Sequence, residues 1–372
     1  MALRTPFGLV LASSILALSC SSSSTSDGGG GTGGAGGLSV PEGPPGSVGN
    51  HCNPGAVCDP QLSCNQYDYC QPSLSNLPSE VKQAVPPPDS VKVPANSPIL
   101  LFTTGTFANV GFKLESHTED GKTDLSSALT VTKLSSSKAK DIFVLTLKQA
   151  MPMGASMVLT LDGDIAGNLT FNVDHQVAPG ADDHLGIEAI GDEGCPYEPL
   201  PDGWRGFGDA ARIGATGSLV PSQGSKMLAL SSGEALCGEA FGGTTSVVVS
   251  GPITIGDAPG VSFDYNFQSS EFDDYCDSEY DDTFLAVLSG PGGAVAQIVN
   301  SVNKVCAGGQ QQPGTFPGQP DGGDADYKET GKLPFTLTGT VGSPAHLTFV
   351  VTDVGDAILS TVVGIDDIVV GP

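Results

Sequence analysis

The segment from Ser269 to Phe284, SSEFDDYCDSEYDDTF, holds the residues of the chain best suited to binding chemistry. It contains seven carboxylates, one cysteine and no basic side chain. A hard cation such as calcium takes six to eight oxygen ligands, which clustered carboxylates supply. Seven like charges in so short a segment repel one another, and a bound cation would relieve that repulsion. The segment therefore predicts either a calcium site or a solvated acidic loop.

The expected calcium ligands come mainly from the second half of this segment. Two further aspartates, in VVTDVGDA, follow a predicted strand and can approach the loop from its end. The D-x-[DN]-x-[DN]-G pattern of EF-hand loops is absent, so an EF-hand is not expected. The candidate ligands are Glu271, Asp277, Glu279, Asp281, Asp282, Asp353 and Asp356.

These carboxylates are not accompanied by an assembled catalytic motif. The chain has neither a G-x-S-x-G elbow nor an H-E-x-x-H zinc motif, and its five histidines are scattered. Two carboxylates at the right separation suffice for glycoside hydrolysis, but any acidic loop offers such pairs. We therefore predict a non-catalytic protein with no catalytic residues. The alternative is a hydrolase that acts on extracellular glycans.

Short runs of β-forming residues, bounded by Gly, Pro, Asn or Asp, predict an all-β protein in which the acidic segment connects two strands. VSFDYNF lies before the acidic segment, and TFLAVL begins at its end. Alternation in LTVTKL and FVLTLK is typical of half-buried sandwich strands. Seven or eight runs after residue 194 fit a larger, jelly-roll-like sandwich with long loops. A short helix is one possibility for residues 79–84 in the Pro-rich spacer.

The stretch QAMPMGASMVLTLDGDIAGNLTFNVD contains a turn with Pro and Gly, a strand, a Gly-Asn turn and a last strand. This arrangement is similar to the closing part of bacterial Ig-like domains, and it assigns residues 86–175 to such a domain. The resemblance implies a β-sandwich that acts as a spacer or an adhesive surface.

Four stretches after residue 194 carry a second resemblance: VSFDYNFQSSEFDDYCDSEYDDTFLAVLSG, QIVNSVN, DADYKETGKLPFTLTG and LTFVVTDVGDAILSTVVGIDDIVV. In this order they resemble the choice-of-anchor domains of bacterial surface proteins, most closely the L type. The resemblance implies a sandwich over residues 194–372 and a location at the cell surface. It implies no particular reaction.

The N-terminus is typical of an exported lipoprotein. Arg4 precedes the apolar run FGLVLASSILAL, and ALSC ends at Cys20. This arrangement resembles a bacterial lipoprotein signal with Cys20 as the lipidated residue, although Ala17 stands where Leu is usual. Ser21 resembles the outer-membrane sorting pattern, which implies a lipid-anchored protein of the cell envelope. An ordinary secretory signal is the alternative.

Export favours disulfides for the eight other cysteines. One set, Cys52, Cys58, Cys64 and Cys70, recurs every six residues in a segment with few core-forming side chains. This spacing is wider than that of most zinc sites, so we expect two disulfides, with three connectivities open. For the second set, we expect Cys276 to pair with Cys306 and Cys195 with Cys237.

The formal net charge of −26 excludes nucleic acid as a partner and favours divalent cations or basic partners. We expect contact with the membrane through the lipid anchor only, and an extracellular protein or glycan as ligand. A purely structural envelope protein is a further alternative. The predicted organisation is a signal peptide (1–19), a Gly/Ser-rich tether (20–50), a Cys-rich module (51–72), a Pro-rich linker (73–85), the Ig-like domain (86–175), a linker (176–193) and the larger sandwich (194–372).

Overall fold

The computed structural model describes residues 40–138, 140–175, 197–198, 200–201, 203–233, 235–236, 244–255, 260–272, 274–315, 327–354 and 359–371. The predicted signal peptide, Cys20, the 176–193 linker, Cys195, Cys237 and Asp356 lie outside these ranges. The described part is almost entirely antiparallel β-structure, which confirms the predicted fold class.

The Cys-rich module is a small disulfide-linked unit with two short strands, β1 (Ser63–Cys64) and β2 (Cys70–Gln71). The disulfides join Cys52 to Cys64 and Cys58 to Cys70, which selects one of the three possible connectivities. The Gln71 amide donates to Asp89 Oδ1 at 2.6 Å, and the Asn65 amide donates to the Asp89 carbonyl at 2.9 Å. These bonds attach the module to the sandwich that follows.

The first sandwich consists of two four-stranded sheets, in the orders β3-β4-β8-β7 and β10-β9-β5-β6. The short helix considered for residues 79–84 is wrong, because from Val81 onward this stretch belongs to the edge strand β3, which pairs with β4. The valines at both ends of β3 favour this extended conformation. The strands are β3 (Val81–Val85), β4 (Ile99–Thr103), β5 (Val110–Thr118), β6 (Gly121–Asp124), β7 (Leu129–Ser135), β8 (Asp141–Leu147), β9 (Ser156–Gly163) and β10 (Gly167–Asn172), with a 3-10 turn at Ser126–Ala128.

The second sandwich pairs a five-stranded sheet, β11-β14-β21-β16-β17, with a seven-stranded sheet, β12-β13-β22-β15-β19-β18, in which β20 also pairs with β15. Its elements are β11 (Arg205–Phe207), β12 (Ala210–Ile213), β13 (Met227–Ser231), β14 (Thr245–Val249), β15 (Gly260–Ser269), β16 (Thr283–Gly290), β17 (Gly293–Ser301), α1 (Val302–Gly308), β18 (Gln312–Pro313), β19 (Lys328–Glu329), β20 (Leu333–Thr338), β21 (His346–Thr352) and β22 (Thr361–Val370).

The five-stranded sheet is covered on both faces. In β16, Phe284, Ala286 and Leu288 belong to the core of the second sandwich. Leu285 and Val287, which alternate with them, belong to an apolar cluster that also contains the core of the first sandwich. Because successive strand residues point to opposite faces, the outer face of this sheet packs against the first sandwich. The two sandwiches therefore share one continuous apolar contact.

Candidate cation site

Three carboxylates meet where strands of both sheets of the second sandwich end. Thr283 at the start of β16 pairs with Thr352 at the end of β21, so Asp282 and Asp353, one residue beyond each, emerge at the same edge. Glu271 lies two residues beyond the end of β15 in the opposite sheet. The antiparallel register therefore brings together three residues that are distant in the sequence.

One carboxylate oxygen from each of Glu271, Asp282 and Asp353 lies within 4.8 Å of the other two, and the three residues are at most 1% exposed. Burial raises the pKa of Asp282 to about 7, while the neighbouring Thr361 and Ser232 hydroxyls, Asp353 and the Val354 backbone amide lower it. Removing several carboxylates from water carries a large desolvation cost unless a compensating charge or proton is present. The cluster is therefore suited to a cation.

Within the described part of the chain, one carboxylate oxygen of Asp282 accepts a hydrogen bond, and the other does not. Its Oδ2 accepts a hydrogen bond from the Ser232 hydroxyl at 3.2 Å. Its Oδ1 is buried and has no hydrogen-bond partner among the described residues. The nearby Thr361 hydroxyl donates to Ser269 at 2.9 Å. A buried acceptor without a donor is costly, and a metal ion can fill this role.

The spacing of these oxygens fits calcium. A calcium ion lies about 2.3–2.6 Å from each of its oxygen ligands, so oxygens up to 4.8 Å apart can share one ion. Three carboxylates offer at most six oxygens, and the Ser232 hydroxyl lies beside Asp282. The set consists only of oxygen donors, which hard cations prefer.

The other described candidate ligands lie apart from this cluster. Asp277 forms an ion pair with Lys138, and its side chain is 92% exposed. Glu279 lies 3.8 Å from Lys82. Asp281 accepts hydrogen bonds from the Ser137 hydroxyl at 2.6 Å and from the backbone amide of Asn303 at 2.8 Å. Asp277, Glu279 and Asp281 belong to no group of three clustered ligands among the described residues.

A disulfide joins Cys276 in the acidic segment to Cys306 in α1, the pairing that the sequence predicts. Ser301 caps the N-terminus of helix α1, and its hydroxyl accepts a hydrogen bond from the Lys304 backbone amide. It ends before Gly309, which has a φ of 61° and the left-handed conformation that glycine adopts without strain. The disulfide therefore holds the middle of the acidic segment against a defined structural element.

The sequence reasoning did not find the residues that surround the acidic segment. Ser232 belongs to a group of buried hydroxyl residues at this end of the sandwich, and Lys82 and Lys138 come from the first sandwich. The available signal was the repeated Ser or Thr at the ends of apolar strand runs, as in MLALSS, NFQSS and VVT. The contacts of the acidic segment with Lys82 and Lys138 leave no comparable signal in the sequence.

Trp204, the only tryptophan of the chain, packs against the core of the second sandwich. Its ring stacks on that of Phe349, with centroids 6.2 Å apart and an interplanar angle of 5°. Trp204 is half-buried, and its ring is engaged in this packing, which argues against a role as a sugar-stacking platform.

Comparisons with known proteins give little guidance. No family model and no curated protein matches the chain. Among solved structures, pullulanase from Anoxybacillus sp. LM18-11, in a complex with maltotriose, matches with a TM-score of 0.17 and 7% identity. The match covers 68% of this chain and 22% of that chain, and a likeness this weak carries no argument. Within the described ranges, the helices are too short or too polar to cross a membrane.

Proposed function

We propose that the protein is a non-catalytic cell-surface lipoprotein whose second sandwich is stabilised by calcium bound to Glu271, Asp282 and Asp353. Its role would be adhesion to, or binding of, an extracellular protein or glycan. The observation that carries the calcium assignment is the buried Oδ1 of Asp282, which has no hydrogen-bond partner among the described residues and lies in a cluster of three carboxylates.

The burial of the cluster favours a structural role over a catalytic one. Glu271, Asp282 and Asp353 are 1%, 0% and 1% exposed. A carboxylate pair that hydrolyses a glycan must flank the scissile bond, with room for the sugar ring between or beside the two groups. An ion can reach a site that a polysaccharide cannot enter. The burial of the three carboxylates therefore supports the non-catalytic assignment.

The proposed location rests on the sequence. The apolar run that ends at Cys20 is followed by a Gly/Ser-rich tether, which suits a folded region carried at a distance from a membrane. Several acyl chains on one residue give stable anchoring. The adhesive or ligand-binding role follows from the resemblances to Ig-like and choice-of-anchor domains.

Thermal unfolding in millimolar calcium and in chelator tests the cation site. The mature chain with Cys20→Ser should melt at a higher temperature in calcium, since calcium at a hundredfold excess over Kd adds about 2.7 kcal/mol of stability. Asp282→Asn should remove this response. Asp274→Asn is the matched control, because it neutralises an exposed aspartate of the same segment that is not a candidate ligand, and it should leave the response intact. An unchanged melting temperature in the parent chain would contradict the calcium assignment.

A glycan-array and hydrolysis screen of the same chain tests the non-catalytic role. Binding without turnover would support it. Turnover that a single Asp or Glu substitution abolishes would favour the hydrolase alternative. Neither binding nor turnover would favour a purely structural envelope protein.

A further inference from the structure

We propose that calcium binding is coupled to the docking of the acidic loop, defined as residues 270–272 and 274–282, onto the first sandwich. The inference rests on the proposed calcium site and adds a regulatory role to it. The cation would hold both ends of the loop, while side chains between these ends contact the first sandwich.

The outer residues of the acidic loop form a charged contact with the first sandwich. Asp277 pairs with Lys138. The Lys82 ammonium lies 3.8 Å from the Glu279 carboxylate, donates to the Glu279 carbonyl at 3.2 Å and lies 5.2 Å from the centre of the Tyr280 ring. Two lysines of one sandwich therefore contact the carboxylates of a loop that belongs to the other.

The contact with the first sandwich and the cation site lie close together along the sequence of the acidic loop. Glu271 and Asp282 stand at its two ends, so both would bind the same ion. Asp281, directly before Asp282, accepts the hydrogen bond from Ser137 of the first sandwich. The middle of the loop is held by the disulfide of Cys276. Binding or release of the ion should therefore move the side chains of the acidic loop that contact the first sandwich, because the loop between them is short and held by the disulfide.

When no ion is bound, the three buried carboxyl groups lack a compensating cation, which favours their separation and their exposure to water. Separation of Glu271 from Asp282 would pull the ends of the loop apart and disturb the contacts of Asp281 and Glu279. By linkage, if calcium favours docking, docking must raise the affinity for calcium by the same factor.

The double substitution Lys82→Met, Lys138→Met separates this coupling from simple electrostatics. Loss of two positive charges near an anionic site should strengthen calcium binding if only Coulomb forces act. Loss of the docked contact should weaken calcium binding if the two events are coupled. The two explanations therefore predict changes of opposite sign.

Calorimetric titration of the mature chain with calcium measures the effect. We expect the Kd to rise roughly five- to tenfold in the double variant, at the lower end of typical coupling strengths. Lys148→Met is the control, because it removes an exposed lysine of the first sandwich that makes no side-chain contact with the described part of the loop. Its Kd should stay close to that of the parent chain.

Hydrogen exchange provides a second measurement. Calcium should slow the exchange of the Val81–Val85 amides in the parent chain and have a smaller effect in the double variant. If calcium binds but the double variant has an unchanged or lower Kd, the coupling is wrong and the calcium site stands. If calcium does not bind the parent chain, the calcium site itself is wrong.

Discussion

Asp281 and Asp282 are adjacent in the sequence, but their carboxylates have different partners. Asp281 accepts hydrogen bonds from Ser137 of the first sandwich and from the backbone of Asn303. Asp282 is completely buried, beside Ser232 and the carboxylates of Glu271 and Asp353. One dipeptide thus connects the contact between the sandwiches to the candidate cation site.

The raised pKa of Asp282 predicts a pH-dependent stability in chelator. The unfolded chain loses this proton near the ordinary pKa of 3.8, whereas the folded protein keeps it up to about pH 7. The folded state therefore binds more protons between these values, and the free energy of unfolding should fall as the pH rises from about 4 to about 7. The loss should be on the order of 4 kcal/mol.

Urea denaturation at a series of pH values measures this dependence. Asp282→Asn has no proton to lose at this position and should flatten the decrease. Saturating calcium should offset the decrease in the parent chain, since it binds the ionised carboxylates. The same decrease in the parent chain and in the variant would assign it to other groups.

The disulfide between Cys276 and Cys306 should contribute substantially to the stability of the second sandwich. It closes a loop with a sequence separation of 30 residues. The chain-entropy relation for a loop of this length gives a loss of roughly 3–4 kcal/mol when both cysteines are replaced by serine. Denaturant unfolding measures the loss. A loss below about 1 kcal/mol would mean that α1 holds the acidic loop without the covalent link.

The shared apolar contact predicts that the two sandwiches unfold together. Leu285→Ala creates a cavity on the face of β16 toward the first sandwich, and Leu288→Ala creates one inside the second sandwich. Each should cost about 2–5 kcal/mol. We expect only Leu285→Ala to separate the unfolding transitions of the two sandwiches.

Two spectroscopic signals distinguish the transitions. Fluorescence of Trp204 reports on the second sandwich, and far-ultraviolet circular dichroism reports on both. The two curves should coincide in the parent chain and in Leu288→Ala, and diverge in Leu285→Ala. Coincident curves in both variants, with full stability retained by Leu285→Ala, would refute the contact.

The proposed lipid anchor at Cys20 predicts a change in fractionation. The wild-type chain should sediment with the outer membrane, and Cys20→Ser should appear in the soluble fraction. Because a lipidated cysteine holds the protein through its acyl chains, no other substitution in the tether should have this effect. A Cys20→Ser chain that stays with the membrane would contradict the anchor assignment.

The strands with strong apolar or alternating patterns could be predicted from the sequence, and weaker ones could not. DIFVLTLK and TFLAVL correspond to β8 and β16. The runs GAVAQIVNS and GKTD, which form β17 and β6, were missed because Ala, Gly and polar residues dilute the pattern. These weaker strands are fixed by pairing with neighbours that are distant in the sequence.

The site could be predicted only in part. Clustered charge singled out Glu271 and Asp282, and a predicted strand end singled out Asp353. Neither signal separated these residues from Asp277 and Glu279. The separation depends on which carboxylates the strand ends bury and which ones meet a lysine. The burial and the lysine contacts both depend on how distant segments pack together, and such packing leaves no local pattern in the sequence.

The double coverage of the five-stranded sheet has a consequence for strand register. In a sheet with one solvent-exposed face, a shift of the strand pairing by one residue exposes apolar side chains and is strongly disfavoured. In β16 both faces are apolar, so this penalty is weak. Side-chain size takes its place: Phe284 and Leu288 fit one side, and Leu285 and Val287 fit the other. Thr283 and Gly290 mark the ends of the strand. Swaps that exchange large and small residues along β16 should therefore produce misaligned chains even when total hydrophobicity is unchanged.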